Sequence, residues 1–263
     1  MQKQLSPAER LIIAADFRPT MEEYWSETGP CSGSFAPSLK RDWVKARVLS
    51  LADSLKGTGV YLKVNSALRA CGYDLIGEIQ SRGLRVFADL KLYDIGETLA
   101  TDGALLKEAR PELLTVVCST GRNSIEALKA ELPDTELLGV TILTNQKDKD
   151  MYPTYGRFHV QDMVNFFAEL GVVAGVDGVI CSASEASTVR AFIGENKTIN
   201  TPAIRPTWAI VPGDDQNPER IMTPAKAIKE GADRIMVGRP IVKAENPYDA
   251  AMRTIEEIAS ATA

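Results

Sequence analysis

Eight short apolar runs recur along the chain, and segments with helical periodicity separate most of them. We interpret these runs as strands at residues 11–15, 60–64, 85–89, 113–118, 137–143, 178–181, 201–204 and 234–237. The segments predicted as helices cover residues 43–55, 68–79, 125–132, 160–172, 183–193 and 224–230. Alternation of strands with helices specifies a parallel sheet whose strands are joined by helical crossovers.

The strand candidates are apolar on both faces, which is typical of a sheet covered by helices on every side. Eight such units in 263 residues fit a closed barrel. We therefore predict an α/β fold, a single (β/α)8 TIM barrel domain over residues 1–263. An open, doubly wound sheet is the alternative. A turn-rich stretch at about residues 17–38 is interpreted as an inserted loop.

The composition excludes several classes of function. Lys and Arg total 30 against 35 Asp and Glu, and the chain has no basic block, so we expect no nucleic-acid partner. His159 is the only histidine, which excludes a His-centred triad or a multi-His metal site. The four cysteines are far apart and form no C-x-x-C pair, so we interpret them as reduced.

No window approaches the roughly 18 consecutive apolar residues of a membrane span. The first ten residues also lack the long apolar segment of a secretory signal peptide. We therefore expect a cytoplasmic protein without a membrane partner.

Charged residues stand at the predicted carboxyl ends of the first three strands, where barrel enzymes carry their catalytic groups. Because side chains alternate along a strand, Asp89 and Lys91 are predicted to share the inward face of the third strand. The same parity places Asp16 and Lys63 inward on the first two strands. Burying such charges is unfavourable unless they are paired or functional. The sequence thus predicts an alternating charge array in the barrel mouth, with Asp94 just beyond it.

A phosphate site is predicted at the end of the eighth strand. Gly238 lets a ligand approach the backbone, and the planar guanidinium of Arg239 can donate two hydrogen bonds to phosphate oxygens. Barrels often bind phosphate with the loops after strands seven and eight. The loop over residues 205–216 is long and rich in turn formers, and we interpret it as a lid that carries Gln216.

The ordered set of these residues resembles the orotidine 5'-phosphate decarboxylase family. The resemblance runs from about residue 11 to the C-terminal helix. It is carried by residues 15–16, 62–64, 89–95 with Thr98, 140–144, 178–182 with Glu185, 201–206, 213–216, 220–224 and 237–241. It implies decarboxylation of orotidine 5'-phosphate to uridine 5'-phosphate (UMP) with release of CO2, the last step of de novo pyrimidine biosynthesis. No metal or other cofactor is expected.

The resemblance also implies roles for the charged residues. Asp16 and Lys63 would hold the ribose hydroxyls. Asp89 would lie against the substrate carboxylate, and Lys91 would donate a proton to C6. Asp89 and Asp94 on either side of Lys91 would favour its charged form.

The other substrate contacts that the resemblance implies are Ile95, Thr98, Thr144, Asn145, Gln216, Gly238 and Arg239. Ile95 and Thr98, together with Asp94, would reach across the interface of a homodimer into the neighbouring site. Thr144 and Asn145 would contact the amide edge of the pyrimidine. Gln216, Gly238 and Arg239 would hold the 5'-phosphate.

Several positions depart from the pattern usual in this family. They are Asn65 in place of Gly, Gly96 and Glu97 in place of Pro-Asn, Cys118 in place of His, Asn145 in place of Ser, and Ala203 in place of Gly. None belongs to the set of four charged residues, so these departures bear on the pocket rather than on the chemistry.

Two alternatives remain open. A sugar-phosphate decarboxylase or aldol lyase of the same superfamily would share the Asp-x-Lys-x-x-Asp strand but use Mg²⁺. Lys63 argues against it, because a metal-binding Glu is expected there and a lysine would repel the ion. A non-catalytic phosphate-ligand-binding barrel would need Arg239 and Gln216 but not Lys91.

Overall fold

The computed structural model describes residues 5–20, 22, 37–157, 159–210 and 222–262. Eight parallel strands form a closed barrel in sequence order, and β1 pairs with β8 to close it. The strands are Leu11–Ala14 (β1), Tyr61–Val64 (β2), Arg85–Leu92 (β3), Leu113–Val117 (β4), Glu136–Val140 (β5), Gly178–Ile180 (β6), Thr198–Thr201 (β7) and Arg234–Val237 (β8). The predicted barrel is confirmed, and the open sheet is wrong.

Helices connect the strands and cover the outside of the barrel. They are Pro37–Ser54 (α1), Ser66–Cys71 (α2), Asp74–Gln80 (α3), Gly96–Ala109 (α4), Arg122–Glu131 (α5), Asp148–Tyr155 (α6), Val160–Val173 (α7), Ala186–Ile193 (α8), Pro224–Lys229 (α9), Arg239–Val242 (α10) and Pro247–Thr262 (α11). Within the described ranges, no helix combines the length and the apolar character needed to cross a membrane.

Two of the predicted elements differ most clearly from the structure. The seventh strand ends at Thr201 rather than beginning there, because Pro202 lacks the N–H that a ladder requires. The predicted helix over residues 68–79 is split into α2 and α3. Gly72, with φ +85°, lies between them in a conformation that breaks a helix.

Some predictions fall on residues outside the described ranges. They include most of the insertion at 17–38, Cys31, and the part of the seventh loop that carries Gln216. Helix α1 begins at Pro37, so the last two residues of the predicted insertion are helical. One domain over residues 1–263 stays a prediction.

The barrel interior contains a compact apolar layer. Its buried members come from six different strands: Ile12, Tyr61, Phe87, Leu113, Leu138 and Met236. The opposite faces of the strands pack against the helices in a second, larger cluster. Burial of each such side chain stabilises the fold by roughly 1.5–3 kcal/mol. The barrel is therefore a filled core rather than a channel.

A buried ion pair lies below this layer, at the amino end of the strands. Arg234 donates to both carboxylate oxygens of Glu136 at 2.6 and 2.8 Å, and its guanidinium lies over the ring of Tyr61. Burial opposes the charge of Arg234, but Glu136 outweighs it and raises the pKa of Arg234. This pair occupies the amino end of the barrel interior, opposite the carboxyl ends of the strands.

Two Gly-x-Asp turns, before β6 and before β8, have the same structural role. The carboxylate of Asp177 accepts a backbone N–H of β5 at 2.9 Å and the ammonium of Lys129 at 2.6 Å. Asp233 repeats this arrangement with a backbone N–H of β7 at 2.7 Å and with Arg190 at 2.6 Å. Each aspartate therefore ties the strand that follows it to the preceding strand and to a covering helix.

Candidate active site

A cavity of about 870 Å³ opens at the carboxyl ends of the strands. Its volume falls within the range of small-molecule sites. Phe87 and Met236 of the interior layer form part of its lining. The cavity lies at the end of the barrel where the loops of TIM-barrel enzymes carry their catalytic groups.

Four charged side chains form a continuous chain of ion pairs in this cavity. Lys63 Nζ lies 2.9 Å from Asp16 Oδ2 and 3.1 Å from Asp89 Oδ2. Lys91 Nζ lies 2.7 Å from each oxygen of Asp89. The structure thus brings together the four residues of the predicted charge array, in the order Asp16, Lys63, Asp89, Lys91.

Burial and pairing act in opposite directions on the two central groups of this chain. Asp89 is 6% exposed and Lys63 is 7% exposed. Burial alone would raise the pKa of Asp89, but Lys63 and Lys91 outweigh it and lower that pKa. Burial alone would lower the pKa of Lys63, but Asp89 and Asp16 outweigh it and raise that pKa. Both groups are therefore held in their charged forms.

Lys91 reaches Asp89 through a bulge that regular alternation does not predict. The pairing of β3 with β4 shifts, so that residues 89–91 stand opposite the single β4 residue Thr115. Lys91 has φ +49°, in the left-handed region that a residue with a Cβ rarely adopts. The predicted meeting of Lys91 with Asp89 is correct, but the local geometry that produces it is irregular.

Two polar contacts to Asp89 were missed in the sequence. The hydroxyl of Thr115 donates to Asp89 Oδ1 at 3.0 Å, and Asn65 Nδ2 lies 3.5 Å from Asp89 Oδ2. A signal for Thr115 existed, because it is a polar residue at an inward position of the apolar run 113–118. Asn65 was noted only as a departure from the family pattern.

The residues that follow β3 lie outside this cavity. Asp94, Ile95 and Thr98 are exposed and are not among the residues that line it. The backbone of Asp94 exchanges two hydrogen bonds with the hydroxyl of Thr120, at 2.6 and 3.2 Å. Within this chain, Lys91 is therefore flanked by Asp89 but not by Asp94.

The predicted phosphate and pyrimidine residues are placed only in part. Gly238 and Arg239 line the cavity at the junction of β8 and α10, and Thr144 lines it beyond β5. Asn145 is exposed and does not line the cavity. Gln216 lies outside the described residues.

Two of the departures from the family pattern have clear structural settings. Ala203, which lines the cavity, has φ +63°, a conformation that favours glycine. Cys118 is buried, and burial raises the pKa of its thiol to about 12. A Cβ at Gly139 or Gly171 would lie within 3 Å of Cys118 Sγ, so the thiol occupies the space beside two residues without side chains. Cys118 therefore has a packing role.

The charges that line the cavity are predominantly positive, although the chain has a net charge of −5. Among the described residues, seven cationic side chains line it against two carboxylates: Arg18, Arg47, Lys63, Lys91, Arg205, Arg239 and Lys243 against Asp16 and Asp89. In the described part of the chain, no three His, Cys, Asp or Glu side chains cluster as metal ligands would. Such a lining attracts a small molecule with several negative charges.

The fold and the site together define a TIM-barrel protein whose cationic cavity suits anionic small molecules. The chain belongs to the orotidine 5'-phosphate decarboxylase / HUMPS family, whose family model matches residues 9–254.

Individual relatives agree with this membership over nearly the whole chain. The orotidine 5'-phosphate decarboxylase of Rhodopseudomonas palustris (strain BisB5) is 37% identical over 263 residues, which cover 98% of this chain and 99% of the relative. That of Gluconobacter oxydans (strain 621H) is 38% identical over 233 residues, covering 85% and 93%. The crystal structure of the Lactobacillus acidophilus orotidine 5'-phosphate decarboxylase matches with a TM-score of 0.72 and 26% identity, covering 95% of this chain and 99% of that one.

Proposed function

We propose that this chain decarboxylates orotidine 5'-phosphate to UMP and CO2 without a metal or other cofactor, as the last step of UMP biosynthesis. The observation that carries the proposal is the chain of ion pairs from Asp16 to Lys91 inside a cationic cavity. Family membership and the activity named for the relatives support the same reaction.

Lys91 is the group that the chemistry requires. When the bond from C6 to the carboxylate carbon breaks, CO2 leaves and the electron pair stays on C6, where the pyrimidine ring cannot delocalise it. A cation fixed beside C6 stabilises this charge without reorganisation during the reaction. Lys91 then donates a proton to C6, which gives UMP, and a proton from solvent restores the ammonium.

The rest of the charge array binds the ribose and orients the lysine. Lys63 has three N–H donors and uses two of them on Asp16 and Asp89, so the third can go to a ribose hydroxyl oxygen. Asp16 is more exposed than its partners and can accept a hydrogen bond from a ribose O–H. Asp89 faces the substrate carboxylate and holds Lys91 in place.

The two ends of the nucleotide are held by loops at the cavity rim. We assign the 5'-phosphate to Arg239, Gly238 and Gln216, and the pyrimidine amide edge to Thr144 and Asn145. The phosphate is remote from C6, yet its binding energy can orient the ring and raise the rate of the chemical step. Orotidine, which lacks the phosphate, should therefore show a lower turnover number than orotidine 5'-phosphate. Equal turnover numbers would contradict this role.

The proposed active unit is a homodimer in which Asp94, Ile95 and Thr98 enter the partner's site. The exposure of Ile95, 68%, and of Tyr93 two residues before it, 63%, supports an interface here, because large apolar side chains are rarely left so open together. The dimer would supply the second carboxylate beside Lys91. A cytoplasmic location is part of the same proposal.

The magnesium-dependent alternative is disfavoured by Lys63. Its ammonium occupies the position between Asp16 and Asp89, the two carboxylates nearest to where a divalent ion would bind. The test is to mix purified protein with orotidine 5'-phosphate in EDTA and to follow the loss of the substrate's ultraviolet absorbance. Full activity in EDTA supports the proposal. Activity that EDTA abolishes and Mg²⁺ restores would contradict the metal-free reaction and favour a magnesium-dependent enzyme.

A further inference from the structure

Thr115 is the single β4 residue that stands opposite three consecutive residues of β3. The pairing of the two strands is regular up to Ala88 and resumes at Leu92, and residues 89–91 lie between these points. Thr115 is 1% exposed and is not among the residues that line the cavity. Any effect it has on the reaction must therefore act through Asp89 and Lys91.

The hydroxyl of Thr115 makes one hydrogen bond to each of these residues. The backbone N–H of Lys91 donates to Thr115 Oγ1 at 2.9 Å, and the hydroxyl donates to Asp89 Oδ1 at 3.0 Å. A backbone amide can only donate and a carboxylate can only accept, so the one hydroxyl proton must point at Asp89. The directions of both bonds are thereby fixed.

The bulge makes these bonds necessary. A bulge takes a backbone N–H out of the strand ladder, and Thr115 supplies the acceptor that the N–H of Lys91 would otherwise lack. The left-handed conformation of Lys91, with φ +49°, is unfavourable for a residue with a Cβ and persists only where its surroundings hold it. The same hydroxyl fixes the carboxylate to which the lysine ammonium is bound.

We infer that Thr115 is a positioning residue for the decarboxylation: its hydroxyl holds the backbone of Lys91 and the carboxylate of Asp89 together, so that the ammonium stays aimed into the cavity. The inference rests on the proposed function. It predicts that loss of the hydroxyl impairs the chemical step rather than substrate binding, since a small displacement of a catalytic group lowers the rate strongly.

The test compares two substitutions at one position. Thr115→Val keeps the shape of the side chain and removes the hydroxyl, whereas Thr115→Ser keeps the hydroxyl. We expect Thr115→Val to lower kcat by about 10- to 100-fold with KM unchanged within about threefold. We expect Thr115→Ser to keep kcat within about threefold of the wild type. Rates are divided by the folded fraction from circular dichroism, so that a loss of stability is not counted as a loss of kcat.

Thr135 provides a matched control. It is 4% exposed, and its hydroxyl donates to the backbone carbonyl of Pro111 at 2.9 Å, before β5 and away from the cavity. Thr135→Val makes the same chemical change in a buried threonine and should leave kcat unchanged.

Three results would overturn the inference: a Thr115→Val protein with wild-type kcat, an equal loss in Thr115→Val and Thr115→Ser, or a rise in KM as large as the fall in kcat. A wild-type protein that does not decarboxylate orotidine 5'-phosphate would contradict the proposed function itself. An active wild type with an equally active Thr115→Val protein would contradict this inference alone.

Discussion

Backbone strain at single residues is concentrated beside the cavity. Among the described residues, the non-glycine residues with positive φ are Lys91, Arg110 and Ala203. Arg110 ends helix α4, where a left-handed residue is common. Lys91 and Ala203 both line the cavity. Lys91 is strained and carries an ammonium group that the site uses. Ala203 is also strained, but its methyl group has no functional role in the site.

Ala203→Gly should therefore stabilise the protein. Glycine adopts φ +63° without the steric clash that alanine has there, and part of this gain is offset by the greater freedom of glycine in the unfolded chain. We expect a net increase of about 0.5–1 kcal/mol in the free energy of unfolding, measured by urea denaturation. The control is Ala46→Gly, at an exposed position in the middle of α1, which should destabilise by about 1 kcal/mol. A destabilised Ala203→Gly protein would contradict the assignment of strain.

Asp89→Asn tests the charge array through its dependence on pH. Folding lowers the pKa of Asp89 from its ordinary value of 3.8, because Lys63 and Lys91 outweigh burial. A carboxylate of this kind stabilises the native state at every pH above its unfolded-state value, and the stabilisation is lost only as the pH falls through its folded-state value. We expect Asp89→Asn to be less stable than the wild type by about 3–5 kcal/mol.

This difference in unfolding free energy should stay constant between about pH 5 and pH 8, measured by urea denaturation across the range. A difference that grows as the pH falls from 8 to 5 would mean that burial prevails and that the pKa of Asp89 is raised, because the folded protein would then bind the proton more tightly than the unfolded chain does.

The sequence predicts the charged residues of the site better than the uncharged residues that hydrogen-bond to them. Asp16, Lys63 and Asp89 could be placed inward from strand parity, because buried charge is rare enough to be informative. Thr115 was missed, since a threonine in a strand is common and its two bonds depend on a bulge that only the pairing of β3 with β4 defines.

Strands and helices of the barrel could be predicted where the residues that define them lie within or next to the element. The apolar runs identify the strands, and Pro202 and Gly72 explain why β7 ends early and why one predicted helix is two. The bulge in β3 was not predictable in this way. It arises from non-local pairing, and regular alternation applied to residues 85–89 gives no sign of it.

The pairing of β6 with β7 depends on the absence of a side chain at Gly178. A Cβ there would lie 2.7 Å from the backbone oxygen of Thr198, which cannot move without disturbing the ladder. We expect Gly178→Ala to lower the free energy of unfolding by about 1–3 kcal/mol or more. Gly77→Ala in α3 is the control, because a Cβ meets no atom there and should stabilise the helix by up to about 1 kcal/mol. Equal effects of the two substitutions would contradict the close approach.

The molecule as a whole separates structure from chemistry along the barrel axis. The ion pair of Arg234 with Glu136 fills the amino end, and the cationic cavity occupies the carboxyl end. Asp94 does not line the cavity of its own chain, so in the proposed enzyme a second copy of the chain would supply this carboxylate.

Mixing two inactive variants tests this shared site. In a heterodimer of Lys91→Ala with Asp94→Asn, one site lacks both groups, and the other receives Lys91 from one subunit and Asp94 from the other. After subunit exchange of equal amounts, we expect about one quarter of wild-type activity.

Mixing Lys91→Ala with Asp89→Asn is the control for this experiment. Both of these residues belong to the same subunit's site, so no intact site forms and no activity should return. Recovery in the control, or none in the test, would contradict a shared site.

The central claim is that the ammonium of Lys91 stabilises the carbanion at C6 and then protonates it. The most direct measurement is kcat for orotidine 5'-phosphate with the wild type and with Lys91→Ala, together with the affinity of each for UMP. We expect kcat to fall by at least about 10⁴-fold, while the dissociation constant for UMP stays within about tenfold. A Lys91→Ala enzyme that retains a tenth or more of the wild-type kcat would contradict the account.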